Sequence, residues 1–225
     1  MSENISLTVD IVVFTVIKSE LYVLLIRRKK EPFKGQYALP GGYVEKDESL
    51  EDAALRELEE ETNVKNIFIK KLTAYGDPER DPRGRIVSVS FLALIDSEKQ
   101  KVTASEEHDS LVAEWVCLGE VKKLAFDHNN ILDDALSELK YEIQTTNIAA
   151  QLLPEKFTLT EMQKVYEIIL DLQLDKRNFR KRLKELDLVA PTKETKMEGA
   201  HRSALLYKFK TRSYQQIKDK VHVFV

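Results

Sequence analysis

The sequence has one cysteine, Cys117, one tryptophan, four histidines, and no apolar run of about 18 residues. Each scarcity removes a class of explanation. A lone cysteine makes no internal disulfide, and its place in an apolar run reads as a buried thiol in a reducing compartment. The histidines, at positions 108, 128, 201 and 222, lack the spacing of a zinc site. With neither a long apolar run nor a charged-then-apolar leader, the expectation is a cytoplasmic protein, neither membrane-spanning nor secreted. What is present is 43% hydrophobic and 32% charged residues over 225 positions, the composition of a globular chain with one large domain or two.

Charge is unevenly distributed. Residues 151–225 carry 16 Lys and Arg against 10 Asp and Glu, a balance of +6, whereas residues 1–150 carry 19 against 28, or −9. A basic C-terminal part on an acidic N-terminal part is a pattern of nucleic-acid-binding modules, and also of plain solvated surfaces.

The most informative stretch is GGYVEKDESLEDAALRELEEETNV, residues 41–64. Leu50, Ala54, Leu55 and Leu58 recur at helical intervals and predict a buried stripe of about four turns, with Asp47 or Ser49 as N-cap. Glu57, Glu60 and Glu61 stand at i, i+3 and i+4, so their carboxylates converge on one patch near the helix C-terminus, where the macrodipole disfavours acids. So dense a breach of local preference implies a compensating cation, and Arg56 is the nearest. The spacing Gly42, five residues, Glu48, seven residues, then Arg56-Glu57-Leu58-Glu59-Glu60-Glu61-Thr62 resembles the Nudix box of hydrolases that cleave a nucleoside diphosphate linked to another moiety. Asn63 stands where the family has Gly, a position at which a left-handed residue ends the helix and Asn is tolerated. The resemblance implies that Glu57, Glu60 and Glu61 hold Mg²⁺ or Mn²⁺. It makes Glu48 and Arg56 their supports, and Glu57 or Glu61 the base. Such an ion takes hard oxygen ligands and activates water toward phosphorus. The pair Glu106-Glu107 is a candidate distant acid.

Around this box, residues 7–17 and 21–26 read as a hairpin turning at Lys18-Ser19-Glu20, with Asp10 a charge inside the first strand. The cluster Arg27-Arg28-Lys29-Lys30 follows. Residues 36–39 form a short strand entering Pro40-Gly41-Gly42, a turn that lets backbone approach a ligand. Residues 67–75 and 86–95 read as paired strands joined by a Pro- and Gly-containing loop that presents Arg80, Arg83 and Arg85. Their guanidinium groups suit a diphosphate, and they suit neighbouring acids as well. A strand over 113–118 and a helix over 131–143 complete a mixed sheet with helices packed on it, an α/β or α+β sandwich like the Nudix fold.

The aperiodic stretch before Pro154 places the domain boundary at residue 150. After it come a capping box at Thr158 and Glu161, a stripe of Met162, Val165, Tyr166 and Ile169, and a second helix over 175–186 carrying Lys176, Arg177, Asn178, Arg180 and Lys181. A polar, turn-rich stretch over 191–202 and a strand over 204–209 follow, with Arg202 near the tip. Two helices and a basic hairpin are the order of a winged helix-turn-helix, in which arginines and Asn178 contact phosphates and base edges. Phe179 is read as core.

The stretches YGDPERDPRGRIVSVSFLAL, LAFDHNNIL, LLPEKFTLTEMQKVYE and LDKRNFRKRL resemble the Nudix-related transcriptional regulators, which fuse a Nudix domain to a winged helix. The resemblance implies a homodimer that binds ADP-ribose, a nucleotide sugar or a related sugar, and double-stranded operator DNA. The alternative is a Mg²⁺-dependent pyrophosphohydrolase whose C-terminal domain serves dimerisation or substrate coverage. Both roles are compatible with the retained carboxylates.

Overall fold

The computed structural model describes residues 5–100, 102, 103, 110–198 and 202–217, with Ser110, Leu111, Glu198 and Arg202 described in the backbone alone. The chain divides into two compact units, Met1–Ser137 and Glu138–Val225. Glu106, Glu107 and His201 lie outside the described residues.

The first unit is built on a seven-stranded mixed sheet. β1 (Ser6–Ile17) lies between β2 (Glu20–Arg28), to which it pairs antiparallel, and β6 (Ile86–Leu94), to which it pairs parallel. Lys18 and Ser19 both take positive φ, 48° and 67°, the geometry of a two-residue hairpin turn whose twist matches its strands. β3 (Tyr37–Ala38) and β7 (Ser110–Cys117) pair with β2, β4 (Gly41–Tyr43) with β1, and β5 (Ile69–Tyr75) with β6. Residues Thr8 to Thr15 of β1 are buried without alternation, the mark of a central strand covered on both faces. Val9, Ile11 and Val13 of β1, with Phe91 and Ala93 of β6, form one core with Ala53, Ala54 and Leu58. Those last three belong to α1 (Leu50–Thr62), the predicted box helix.

Ser49 is the N-cap of α1, accepting from the Asp52 amide, and Asn63 closes the helix in the left-handed region at φ 60°. The substitution of Asn for Gly there is thus accommodated by the backbone the position requires. Cys117 departs from expectation: it is partly exposed, because it ends β7, a strand that among the described residues pairs on one side alone. The remaining helix of the unit, α2 (His128–Thr145), starts three residues earlier than its apolar pattern, and the division between units falls within it.

The second unit holds α3 (Leu159–Leu170), α4 (Lys176–Leu186) and a three-stranded sheet ordered β8 (Phe157–Thr158), β10 (Arg202–Phe209), β9 (Val189–Glu198). Thr158 and Glu161 form the expected capping box. Met162, Val165, Tyr166 and Ile169 are all buried, and Tyr166 packs edge-on against Phe179 of α4 at 5.4 Å. Residues 191–198, read as turn-rich, are strand. Their polar run has no alternation because the ribbon is solvated, and Pro191 is tolerated because β9, among the described residues, is an edge paired with β10 alone. Among the described residues, no helix is long and apolar enough to cross a membrane.

Candidate functional site

A cleft of about 360 Å³ opens in the first unit at the end of α1. Its floor is the backbone of β4, and α1 supplies one wall through Arg56, Glu57, Glu60 and Glu61. Arg56 is the hub. Its Nε and Nη2 donate to the two oxygens of Glu48 at 3.0 and 2.7 Å, Nη2 also to the Tyr43 carbonyl at 3.0 Å, and Nη1 to Glu57 at 2.9 Å and Glu60 at 3.3 Å. This is the compensating cation that the acid-rich helix end implied, and among its described residues the last turn carries no basic side chain. Glu61, buried, accepts the Gly41 amide at 2.9 Å, which ties the helix end to β4.

Two glycines allow this close approach. Gly41 has φ 155°, and a Cβ on Gly42 would stand 2.3 Å from the Glu57 carboxyl carbon. Backbone and carboxylate therefore share a space that no other residue type leaves open. Burial pushes the Glu57 carboxyl up, against the opposing pull of Arg56, whereas the Arg56 hydrogen bonds hold Glu48 below the usual carboxylate range. Hard carboxylate oxygens are the donors a Mg²⁺ or Mn²⁺ ion takes. As placed, Glu57 and Glu60 share Arg56, and no three His, Cys, Asp or Glu among the described residues stand as a metal-holding set.

The opposite wall is a buried polar cluster. Arg80, expected to be exposed, is only 8% accessible: its Nε and Nη2 donate to Asp127 at 2.8 and 2.7 Å, and Nη2 to Asp10 at 3.4 Å. Asp10 also accepts from the Ser88 hydroxyl at 2.5 Å. His128 Nδ1 accepts the Leu39 amide at 2.9 Å, so its proton sits on Nε2, 3.4 Å from Asp10. Burial pushes the His128 pKa down, against the pull of Asp10. Arg83 chelates Asp81 with contacts of 2.6 to 3.2 Å and lies over the Tyr43 and Phe126 rings. Arg28 also lies over the Phe126 ring, at 4.7 Å. Cations and aromatic faces at one mouth, above carboxylates, suit a ligand with a diphosphate and a ring. Arg85 stands apart, donating to the Gly76 carbonyl at 2.6 Å, and is not part of the cleft lining.

In the second unit, Asp175 caps α4 by accepting from the Arg177 and Asn178 amides. Phe179 and Leu183 are buried, so Lys176, Arg177, Asn178, Arg180 and Lys181 are left on exposed faces. Arg202 begins β10 opposite Glu198.

A model of the NUDIX domain matches residues 6–135, and one of the NrtR DNA-binding winged helix domain matches residues 149–209. The ADPR responsive transcriptional repressor NtrR of Acinetobacter baylyi is 39% identical over 92% of this chain and 83% of its own. The chain belongs to the Nudix family, in its NrtR group. NrtR of Shewanella oneidensis, in a crystal structure with a 27mer DNA, superposes with a TM-score of 0.79 at 34% identity, covering 91% of this chain and 93% of that one. The NUDIX domain of the same protein, crystallised with ADP ribose, matches 61% of this chain and 90% of its own at 37% identity, with a TM-score of 0.58.

Within this NrtR-group chain, the structure brings Gly41, Gly42, Arg56, Glu57, Glu60, Glu61, Arg80 and Arg83 to one cleft, with Glu48 bound to it through Arg56. Motif reading leaves out His128, Tyr43 and Phe126. The signals for the buried cluster are a charged Asp10 inside an apolar strand and the family-like stretches that contain Arg80, Phe126, Asp127 and His128, of which motif reading assigns a role to Arg80 alone. The place of Phe126 over the cleft depends on a positive φ of 53° at a residue type that seldom adopts it.

Proposed function

We propose that this chain is an ADP-ribose-responsive, DNA-binding transcriptional regulator. The observation that carries the reading is the coexistence of a diphosphate-sized cleft flanked by Arg28, Arg80 and Arg83 with a helix, α4, whose exposed residues are basic. Both relatives named above are NrtR-group proteins, one described as ADPR responsive and one crystallised on DNA. In this reading the chain works in the cytoplasm as a homodimer, two copies of α4 meet successive major grooves, and ligand in the cleft changes operator affinity. Lys176, Arg177, Arg180, Lys181 and Arg202 meet phosphates or guanine edges, and Asn178 reads adenine.

Mg²⁺ held by Glu57, Glu60 and Glu61 is part of the proposal, and when bound it neutralises diphosphate charge and lowers the pKa of a water. Arg56 must then share or release Glu57 and Glu60, and Gly41 keeps Glu61 oriented. Retention of all three carboxylates supports a second activity at the same cleft, slow pyrophosphate hydrolysis of the ligand. Incubation of the full chain with ADP-ribose, with and without Mg²⁺, separates the cases. Thermal stabilisation without release of nucleoside monophosphate is the expected result for a sensor. Metal-dependent release that is lost in Glu61→Gln would add the hydrolase, and the absence of both stabilisation and turnover would remove ADP-ribose as the ligand.

A further inference from the structure

We propose that the winged-helix unit carries a separate small-molecule site, for an amphipathic anion consisting of a carboxylate or phosphate monoester on an extended apolar body. A cavity of about 730 Å³ lies between α4, the start of α3 and the β9–β10 ribbon, larger than the first-unit cleft and within the size range of small-ligand pockets. Its two sides differ in chemistry. Lys176, Arg180 and Lys184, at four-residue intervals on one face of α4, line one side. Val189 and Leu205, which share a face of the ribbon with Ser203 and Tyr207, supply an apolar floor with Leu183 beneath.

Charge complementarity identifies the occupant. None of the three cations has an ion-pair partner among the described residues, although Lys181 and Arg182 on the neighbouring face both pair with Glu185. Asp187, the one acid among the described lining residues, is held by Lys210 at 2.5 Å. Three uncompensated cations at one edge call for an anion. A nucleic-acid strand would satisfy them, but a hydrated phosphodiester leaves the apolar floor unused, with Leu205 40% exposed beside it. An anionic head against Lys176, Arg180 and Lys184, with its chain laid over Leu205 and Val189, satisfies both sides at once. Since Lys176 and Arg180 are also assigned to DNA, the occupant competes with the duplex. That competition rests on the regulator reading given above, whereas occupancy of the groove does not.

The test is calorimetric titration of the full chain, without DNA, with decanoate, with 1-decanol and with inorganic phosphate. Decanoate is expected to bind saturably at one per chain, and the neutral chain and the bare anion each about tenfold or more weaker. Arg180→Ala with Lys184→Glu should weaken decanoate by about tenfold or more, and Ser203→Trp, on the same strand face as Leu205, which fills the floor and keeps the cations, should abolish binding. Circular dichroism melts check that each variant is folded, and Leu205→Gln at its exposed position replaces Ser203→Trp if that one is not. Non-saturable uptake, parent-like affinity in the folded variants, or phosphate binding as well as decanoate would each overturn the site. Displacement of a labelled duplex by saturating decanoate supports the competition, and retention of the duplex while decanoate is bound would overturn it.

Discussion

Gly42 shows how much a single hydrogen atom decides in this cleft. A methyl group there would overlap the Glu57 carboxyl group, at 2.3 Å from its carbon and from one oxygen. Gly42→Ala is therefore expected to expel Glu57 from its bond with Arg56. ADP-ribose affinity should fall about tenfold, measured by calorimetry, with the melting temperature lowered by only a few degrees, because the carboxylate lines an open cleft into which it can move. Unchanged affinity would show that Glu57 is remote from the ligand. His128 acts on stability instead. Its folded pKa lies below the ordinary 6.5 because burial disfavours the imidazolium. As pH falls, the unfolded chain takes up this proton first, so the contribution is complete above 6.5 and is lost as pH drops from there through the depressed folded value, at about 1.4 kcal/mol per pH unit. Urea midpoints between neutral and mildly acidic pH should show a steeper fall in the parent than in His128→Gln; equal slopes would mean that the ring takes up its proton equally readily in the folded and unfolded chain.

At the scale of elements, α1 was legible because three independent signals coincide on it: an apolar stripe, a capping serine and acids at i, i+3 and i+4. The winged helix was legible in its helices for the same reason, with Met162, Val165, Tyr166, Ile169 and Phe179 buried as read. The polar strand β9 was not, since a solvated ribbon leaves no hydrophobic period, and pairing with β10 is a long-range fact. The arginine loop was half legible. Its residue types are right for a diphosphate, but only folding decides that Arg80 is locked by Asp127 and that Arg85 turns to Gly76. At the end of α1, Asn63 bears a left-handed conformation that Gly adopts without a side-chain penalty. Asn63→Gly should raise stability by roughly 0.5 kcal/mol in urea unfolding, and a loss of stability would show that the Asn63 side chain makes a contact of its own.

At the scale of the whole molecule, charge is partitioned, with +6 on residues 151–225 and −9 on residues 1–150. An acidic partner in the same chain opposes non-specific adhesion to nucleic acid, so in the proposed regulator specific contacts from α4 carry the affinity. Arg177→Ala with Arg180→Ala is expected to weaken duplex binding and to reduce the slope of log affinity against log salt by about 1.8, at roughly 0.9 for each phosphate left without its arginine. A parent-like slope in fluorescence anisotropy titrations would take α4 off the DNA. In the proposed operator complex two copies of this chain come close together, and among the described residues β9 pairs on one side alone. Pro191 has no amide hydrogen to offer a neighbouring strand, and Lys193 puts an exposed charge on that edge. The wing is thus guarded against strand-to-strand polymerisation where crowding on DNA would most encourage it.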